Sequence, residues 1–262
     1  MHMPHLLIFG LGYTAKRVKA LAEARGWSVA ATGSAGDVAF DDRPTVTGQI
    51  ARADAILSSV PPAEGADPVL ERYGERLPGK RLFYLSSTGV YGDTKGAWVD
   101  ECAPTGGGRR TARAKADAAW LVLGAYVFRL PGIYGPGRSV FERIADGRAQ
   151  RIDLPAQVFS RVHVDDIASG VMAALTRDVP PGAYNLADDL PTSQNRLIEH
   201  ACALLGVEPP PLVALEEAGL SPMARGFYAE SRRVANGKAK RLLGWTPLYP
   251  TFREGLAAIR AL

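Results

Sequence analysis

The chain has 262 residues, 47% of them hydrophobic and 22% charged, a balance that suits one large globular domain and needs no disulfide staples. A net charge of +4 is carried by scattered lysines and arginines with no dense basic run, which argues against a nucleic-acid partner and suits a small anionic ligand. Cys102 and Cys202 lie far apart and His2, His5, His163 and His200 do not cluster, so a reduced, cytoplasmic setting without a metal centre is expected.

No apolar run approaches the ~20 residues that span a bilayer. Leu6 to Phe9 is too short for the core of a signal peptide and reads as a strand. Gly10-Leu11-Gly12-Tyr13-Thr14-Ala15 follows it. A helix is then expected from about Thr14 to Arg25, with Val18, Leu21 and Ala22 on one face and Gly26 at its end. Further strands are read at Trp27 to Thr32, at Ala53 to Val60 before Pro61-Pro62, and at Arg81 to Ser86. An alanine-rich helix spans Thr111 to Leu123, and Tyr126 to Leu130 is a strand stopped by Pro131. Strands alternating with helices imply parallel pairing: an α/β, Rossmann-type, doubly wound sheet.

Beyond Pro131 the chain turns rich in Pro, Gly and Arg. Val158 to Val164 reads as a strand, Asp165-Asp166 as the cap of a helix running to Leu175, and Tyr184 to Ala187 as a strand. Thr192 caps a helix to Leu205, closed by Pro209-Pro210-Pro211. With no repeats and no linker, residues 1–262 form one domain, its cofactor part over about 1–130. A small C-terminal substrate lobe is woven from about 131–160 and 188–235.

A Gly-x-Gly-x-x-Ala element between strand and helix has a mechanical purpose. Gly10 allows the sharp turn, Gly12 lets a diphosphate approach bare backbone, and Ala15 lets the helix pack closely on the strand. Main-chain amides around Leu11, Gly12, Tyr13 and Thr14, at a helix N-terminus, would hold the diphosphate of NAD or NADP. The second strand ends in Thr32-Gly33-Ser34 with no acid for a ribose 2′-hydroxyl, which leans towards NADP, with Ser34 on its 2′-phosphate. Asp41 is either a hydrogen-bond acceptor for the adenine amino group or a solvated loop acid. Val60 and Pro131, each at a strand end, complete the expected cofactor contacts.

Several further segments carry a resemblance: Ser86-Ser87-Thr88-Gly89-Val90-Tyr91-Gly92-Asp93, Arg129-Leu130-Pro131-Gly132-Ile133-Tyr134-Gly135-Pro136-Gly137 and Val162-His163-Val164-Asp165-Asp166-Ile167-Ala168. Tyr184-Asn185-Leu186-Ala187-Asp188-Asp189 and Lys240-Arg241-Leu242-Leu243-Gly244-Trp245 extend it. In order over nearly the whole chain, they resemble the extended short-chain dehydrogenase/reductases, the NAD(P)-dependent epimerase/dehydratase family. That resemblance implies a Tyr-x-x-x-Lys pair on the alanine-rich helix, the lysine and cofactor lowering the tyrosine pKa for proton exchange. It also implies a Ser or Thr holding the substrate oxygen. Ser87 matches the serine and Lys115 the lysine, as catalytic group and ribose anchor, but the tyrosine slot is Thr111, whose hydroxyl cannot replace a phenol.

The string Tyr91-Gly92-Asp93-Thr94-Lys95 has the right spacing but turn chemistry, so Tyr91 alone is the better catalytic candidate. Tyr134 and His163 are weighed against plain packing roles, and Arg109-Arg110 against solvent exposure. The resemblance implies an oxidoreductase or epimerase-like enzyme for a small, sugar-like or nucleotide-sugar substrate. It also implies a homodimer pairing through the Thr111 to Leu123 helix, with Trp120 and Leu123 at the contact. The missing tyrosine leaves two alternatives open: a non-catalytic NADP(H) sensor, and an isomerase using its cofactor only as structure.

Overall fold

A computed structural model describes residues 3–109 and 111–262, apart from the side chains of Met223 and Ala224; Arg110 and His2 therefore lie outside the described residues. The first half runs β1 (His5–Phe9), α1 (Tyr13–Ala24), β2 (Ser28–Ala31), α2 (Arg43–Arg52), β3 (Ala55–Ser58), α3 (Pro68–Tyr73) and β4 (Arg81–Ser87). A 3₁₀ turn at Thr88–Tyr91, β5 (Trp98–Val99), α4 (Thr111–Val122) and β6 (Tyr126–Leu130) follow. The rest comprises β7 (Gly132–Tyr134), α5 (Val140–Ala145), β8 (Arg151–Ile152), β9 (Arg161–His163), α6 (Val164–Thr176) and β10 (Gly182–Asn185). It ends with α7 (Gln194–Leu205), β11 (Leu212–Val213), α8 (Pro222–Tyr228), β12 (Arg233–Val234) and α9 (Phe252–Arg260).

Six strands form one parallel sheet in the order β10-β6-β4-β3-β1-β2. β1 lies between β2 and β3, with Leu6 opposite both Val29 and Ala55. The chain order therefore reverses beside β1, and a crevice opens at the carboxyl ends of β1 and β3. The fully buried strands read as continuous apolar runs because helices cover both faces. Leu6, Ile8, Phe83 and Phe128 pack with Val18 of α1 and Ile167 and Val171 of α6. On the opposite face, Leu7, Phe9, Ile56 and Val127 pack with Val46, Val69 and Trp120. A third cluster, with Tyr134, Val140, Ile198 and Leu256, packs α5, α7 and α9 together.

Two buried carboxylates tie α4 to its neighbours, one to α3 and one to the sheet. Asp67 accepts from Val69 and Leu70 N–H at 3.0 Å, which caps α3, and its other oxygen accepts from Trp120 Nε1 at 2.9 Å. Asp117 of α4 receives Arg129 of β6 in a two-pronged pair, Nη2 at 2.7 Å and Nε at 3.1 Å, and also the Ser86 hydroxyl at 2.6 Å.

Three local expectations need correction. The cap of α6 is His163, whose Nδ1 accepts from Asp165 N–H at 3.2 Å, rather than Asp165 or Asp166. Asp166 turns away instead, to accept from Leu248 N–H at 2.5 Å and Tyr249 N–H at 3.2 Å. Ser193 rather than Thr192 caps α7, because the Thr192 backbone is bridged to Phe159. Trp120 is fully buried against Tyr84, so it cannot serve a subunit contact; α4 exposes Ala118, Ala119 and Val122 instead. Among the described residues no helix is long and apolar enough to cross a membrane.

Asp188 is 2% exposed, and neither carboxylate oxygen makes a hydrogen bond of ordinary geometry among the described residues. Burial pushes its pKa up to about 8, against the opposing charge of Arg161. A carboxyl raised on folding stabilises the native state while both states are protonated, and that contribution is lost as pH rises through the folded value. Stability to urea should therefore fall between about pH 4 and pH 8, and in Asp188→Asn this part of the decline should vanish.

Candidate functional site

The loop after β1 is shaped by its own hydrogen bonds. Gly10 has φ +84°, and a Cβ there would stand 2.9 Å from Val60 Cγ2. Gly10 N–H donates to Thr32 Oγ1 at 3.1 Å, Leu11 N–H to Thr32 O at 2.8 Å and Gly12 N–H to Gly10 O at 2.9 Å. Leu11 and Gly12 thus spend their amides inside the turn and shape the cradle without donating to a ligand. The first turn of α1, at Tyr13 and Thr14, has no side-chain cap, so its amides are left for a ligand. A Cβ on Gly12 would meet nothing within 4 Å, so the space above it is open trough.

Two cavities run outward from this point, both lined by Gly12 and Ser59. The one of about 410 Å³ lies over Leu11, Thr32, Gly33 and Ser34, with Phe40, Val60, Pro61 and Pro68 as apolar walls. Phe40 is held edge-on against Phe9 and Tyr73. No charged side chain among the described residues lines this cavity. Asp37 is turned back to accept from Ala31 N–H at 2.7 Å. Asp41 does not line the cavity; it pairs with Arg72 at 3.0 Å and is 80% exposed. Ser34 remains at the exposed rim.

The other cavity, about 430 Å³, lies at the ends of β4 and β6. Ser87 lines it, its Oγ accepting from Gly89 N–H at 3.1 Å. Tyr13, Thr14 and Pro131 line it too. Lys115 does not: α4 turns that side chain to the exposed face. Arg113, half-buried, reaches the cavity in its place and donates from Nη1 to the Tyr84 hydroxyl at 2.9 Å. Arg109, Arg138 and Arg232 line the same space, with Glu230 the one carboxylate among the described lining residues.

The tyrosines and His163 are placed elsewhere. The Tyr91 hydroxyl is buried, donating to Asn185 Oδ1 at 2.8 Å and accepting from Arg129 Nη1 at 3.0 Å, and burial raises its pKa. Tyr91 therefore braces the Asp117–Arg129 pair and does not border the cavity. Lys95 is no partner for it, since it sits at φ +53° in a turn closed by Asp93. Tyr134 is buried in the third hydrophobic cluster, where burial and the charges of Asp188 and Asp166 raise its pKa far above a phenol's usual value. His163 is 2% exposed between Tyr134 and Tyr249, and burial lowers its pKa.

No protein-family model matches the chain. A functionally unknown conserved protein from Silicibacter pomeroyi DSS is 37% identical and superposes with a TM-score of 0.88 over 98% of both chains. The chain belongs to one family with that protein. Its fold is that of the NAD(P)-dependent epimerase/dehydratases: the human epimerase family protein SDR39U1, solved with NADPH, gives a TM-score of 0.74 at 16% identity, covering 98% of this chain and 99% of that one. A Streptomyces 3-diazoavenalumate denitrifying reductase is 31% identical over 169 residues, 59% of this chain. The chain matches 54% of that reductase, about half its length.

The residues present fit a dinucleotide: an uncapped helix N-terminus, a bare glycine below open space, and an apolar slot on one side. Gly12→Val should leave the thermal midpoint within about 2 °C, since Gly12 has an ordinary φ of −84° and nothing to clash with, yet weaken dinucleotide binding more than about 100-fold by calorimetry. Lys115→Ala should keep affinity within about twofold, whereas Arg113→Ala should weaken it about tenfold or more, by loss of a charge-assisted contact.

Proposed function

We propose that the protein is an NAD(P)H-dependent reductase of a small molecule. The observation that carries this reading is the chemistry of the 430 Å³ cavity. Its donors are hydroxyls and guanidiniums, and its one described carboxylate and one described phenol are both moved away from neutrality. Burial alone would raise Glu230, but Arg232 and then Arg109 hold it below the ordinary carboxylate range. The one phenol among the described lining residues, Tyr13, is raised by burial, and its hydroxyl donates to Pro136 O at 3.1 Å. Epimerases and dehydratases must remove a proton from their substrate. A reductase can work with a group that only polarises the acceptor.

A bound reduced nicotinamide would supply hydride, and water the proton that completes the reduction. The chain's own residues do the rest. The amides of Tyr13 and Thr14 hold the diphosphate, and Phe40, Val60 and Pro61 form the adenine slot. Arg113 takes the ribose-anchoring role that the sequence assigned to Lys115. Ser87 Oγ accepts from Gly89 N–H through one of its two lone pairs, and its hydrogen is left to point at a substrate oxygen. The absence of an acid at the end of β2, with Ser34 at the rim, favours NADPH over NADH. The cavity must house both the nicotinamide and the substrate, so a nucleotide sugar fits this reading less well than a compact molecule.

The same lack of acid–base groups also favours a second reading, a protein that binds NADP(H) and does no chemistry. Incubation with NADPH deuterated at one face of C4, across a carbonyl and imine panel, separates the two. The reductase reading expects stereospecific loss of deuterium to product and a fall in kcat of about 10²-fold in Ser87→Ala. Tight NADPH binding with no deuterium transfer to any acceptor would leave the sensor reading standing.

A further inference from the structure

The cavity beyond the nicotinamide end has a composition that hydride transfer does not itself require. Four arginines, Arg109, Arg113, Arg138 and Arg232, line it together with one carboxylate, Glu230. Glu230 is 9% exposed and already shared: Oε1 lies 3.3 Å from Arg109 Nε, and Oε2 is hydrogen-bonded to Arg232 Nη2. One charge cannot neutralise two, so this corner of the site retains a positive surplus directed at the space between them.

Beside it is an aromatic surface. Phe159 and Phe227 both line the cavity, and their rings are stacked with centroids 4.6 Å apart and planes 9° apart. Tyr228 braces Phe159 edge-on at 5.8 Å. Phe227 is nevertheless 45% exposed, an unusual state for a large ring that already has a stacking partner. The two features adjoin: the Arg109 guanidinium packs on the backbone of Gly226, where any side chain would collide with it. The residue next in sequence to Gly226 is Phe227. Arg232 is fixed as well, Nε donating to Gly92 O at 2.9 Å.

We propose that this corner binds a flat aromatic carboxylate, its ring against the Phe159–Phe227 pair and its carboxylate on Arg109 and Arg232. The assignment names the substrate class of the reductase site and rests on that reading. Planar guanidiniums suit a carboxylate because they can meet both oxygens at once. The stacked phenylalanines give a face on which a further ring can continue the stack. Glu230 is a positioning residue here: it holds the two arginines in place and leaves their outward N–H groups to the ligand.

The test is calorimetric titration of the full chain with benzoate, benzamide and cyclohexanecarboxylate, each with and without saturating NADPH. Benzoate should bind at least about tenfold tighter than benzamide and about threefold tighter than cyclohexanecarboxylate. Arg109→Gln should erase the first preference. Phe227→Ala and Phe227→Leu should both erase the second, the leucine keeping apolar bulk so that only the ring is lost. Arg109 and Phe227 are both about half exposed, so the variants leave the core intact. Equal binding of benzoate and benzamide, or preferences that survive the substitutions, would overturn the assignment while NADPH binding still upheld the reductase reading. Benzoate selectivity without any dinucleotide binding would support the anion site and sink the reductase reading.

Discussion

The orientation of one helix decides what this site can do, and the buried pair between Asp117 and Arg129 sets that orientation. Asp117 is 2% exposed and Arg129 4%, so their geometry cannot relax into solvent. The pair locks α4 to β6, while the Ser86 hydroxyl on the same carboxylate adds β4 to the junction. With Asp117 facing the sheet, Arg113 one turn earlier faces the cleft and Lys115 faces water. A buried ion pair gives little net stability. Here it gives rotational register, and the cavity wall depends on it.

Tyr91 and Asn185 extend this buried network. A phenol that looked available as a proton donor in sequence thus serves to hold the guanidinium that holds the helix. Removal of such groups from chemical duty leaves a cavity of hydroxyls and guanidiniums, and the functional reading follows from that inventory. The glycine turn is built differently, by Gly10 and Leu11 N–H donating to the Thr32 side chain and carbonyl at the end of the neighbouring strand.

That difference explains what could be read from residues alone. The glycine cradle, the parallel order of strands and the serine at the end of β4 depend on local turn chemistry and on periodicity, so they were legible. The basic residue on α4 was displaced by two positions because a helix's rotation is set by what it packs on, and a string of alanines gives no phase. The caps at His163 and Ser193 escaped for a similar reason: Asp166 and Thr192 were drawn off by partners distant in sequence. Helix α8 and its Phe227 left no periodic trace, being seven residues long with a glycine inside. The aromatic wall they form came only from three-dimensional structure.

The pairing of β5 with β12 has a temporal consequence. Trp98 and Val99 lie beside Arg233 and Val234, so the strand that follows Arg232 of the cavity wall is held by a stretch more than a hundred residues away. The glycine turn after β1, by contrast, takes its hydrogen bonds from Thr32 and its sheet neighbours from strands that end by Ser58. During synthesis the partners of that turn therefore emerge long before the second strand of the β5–β12 ladder does. The cavity wall that carries Phe227, Glu230 and Arg232 is complete only when the chain has passed β12.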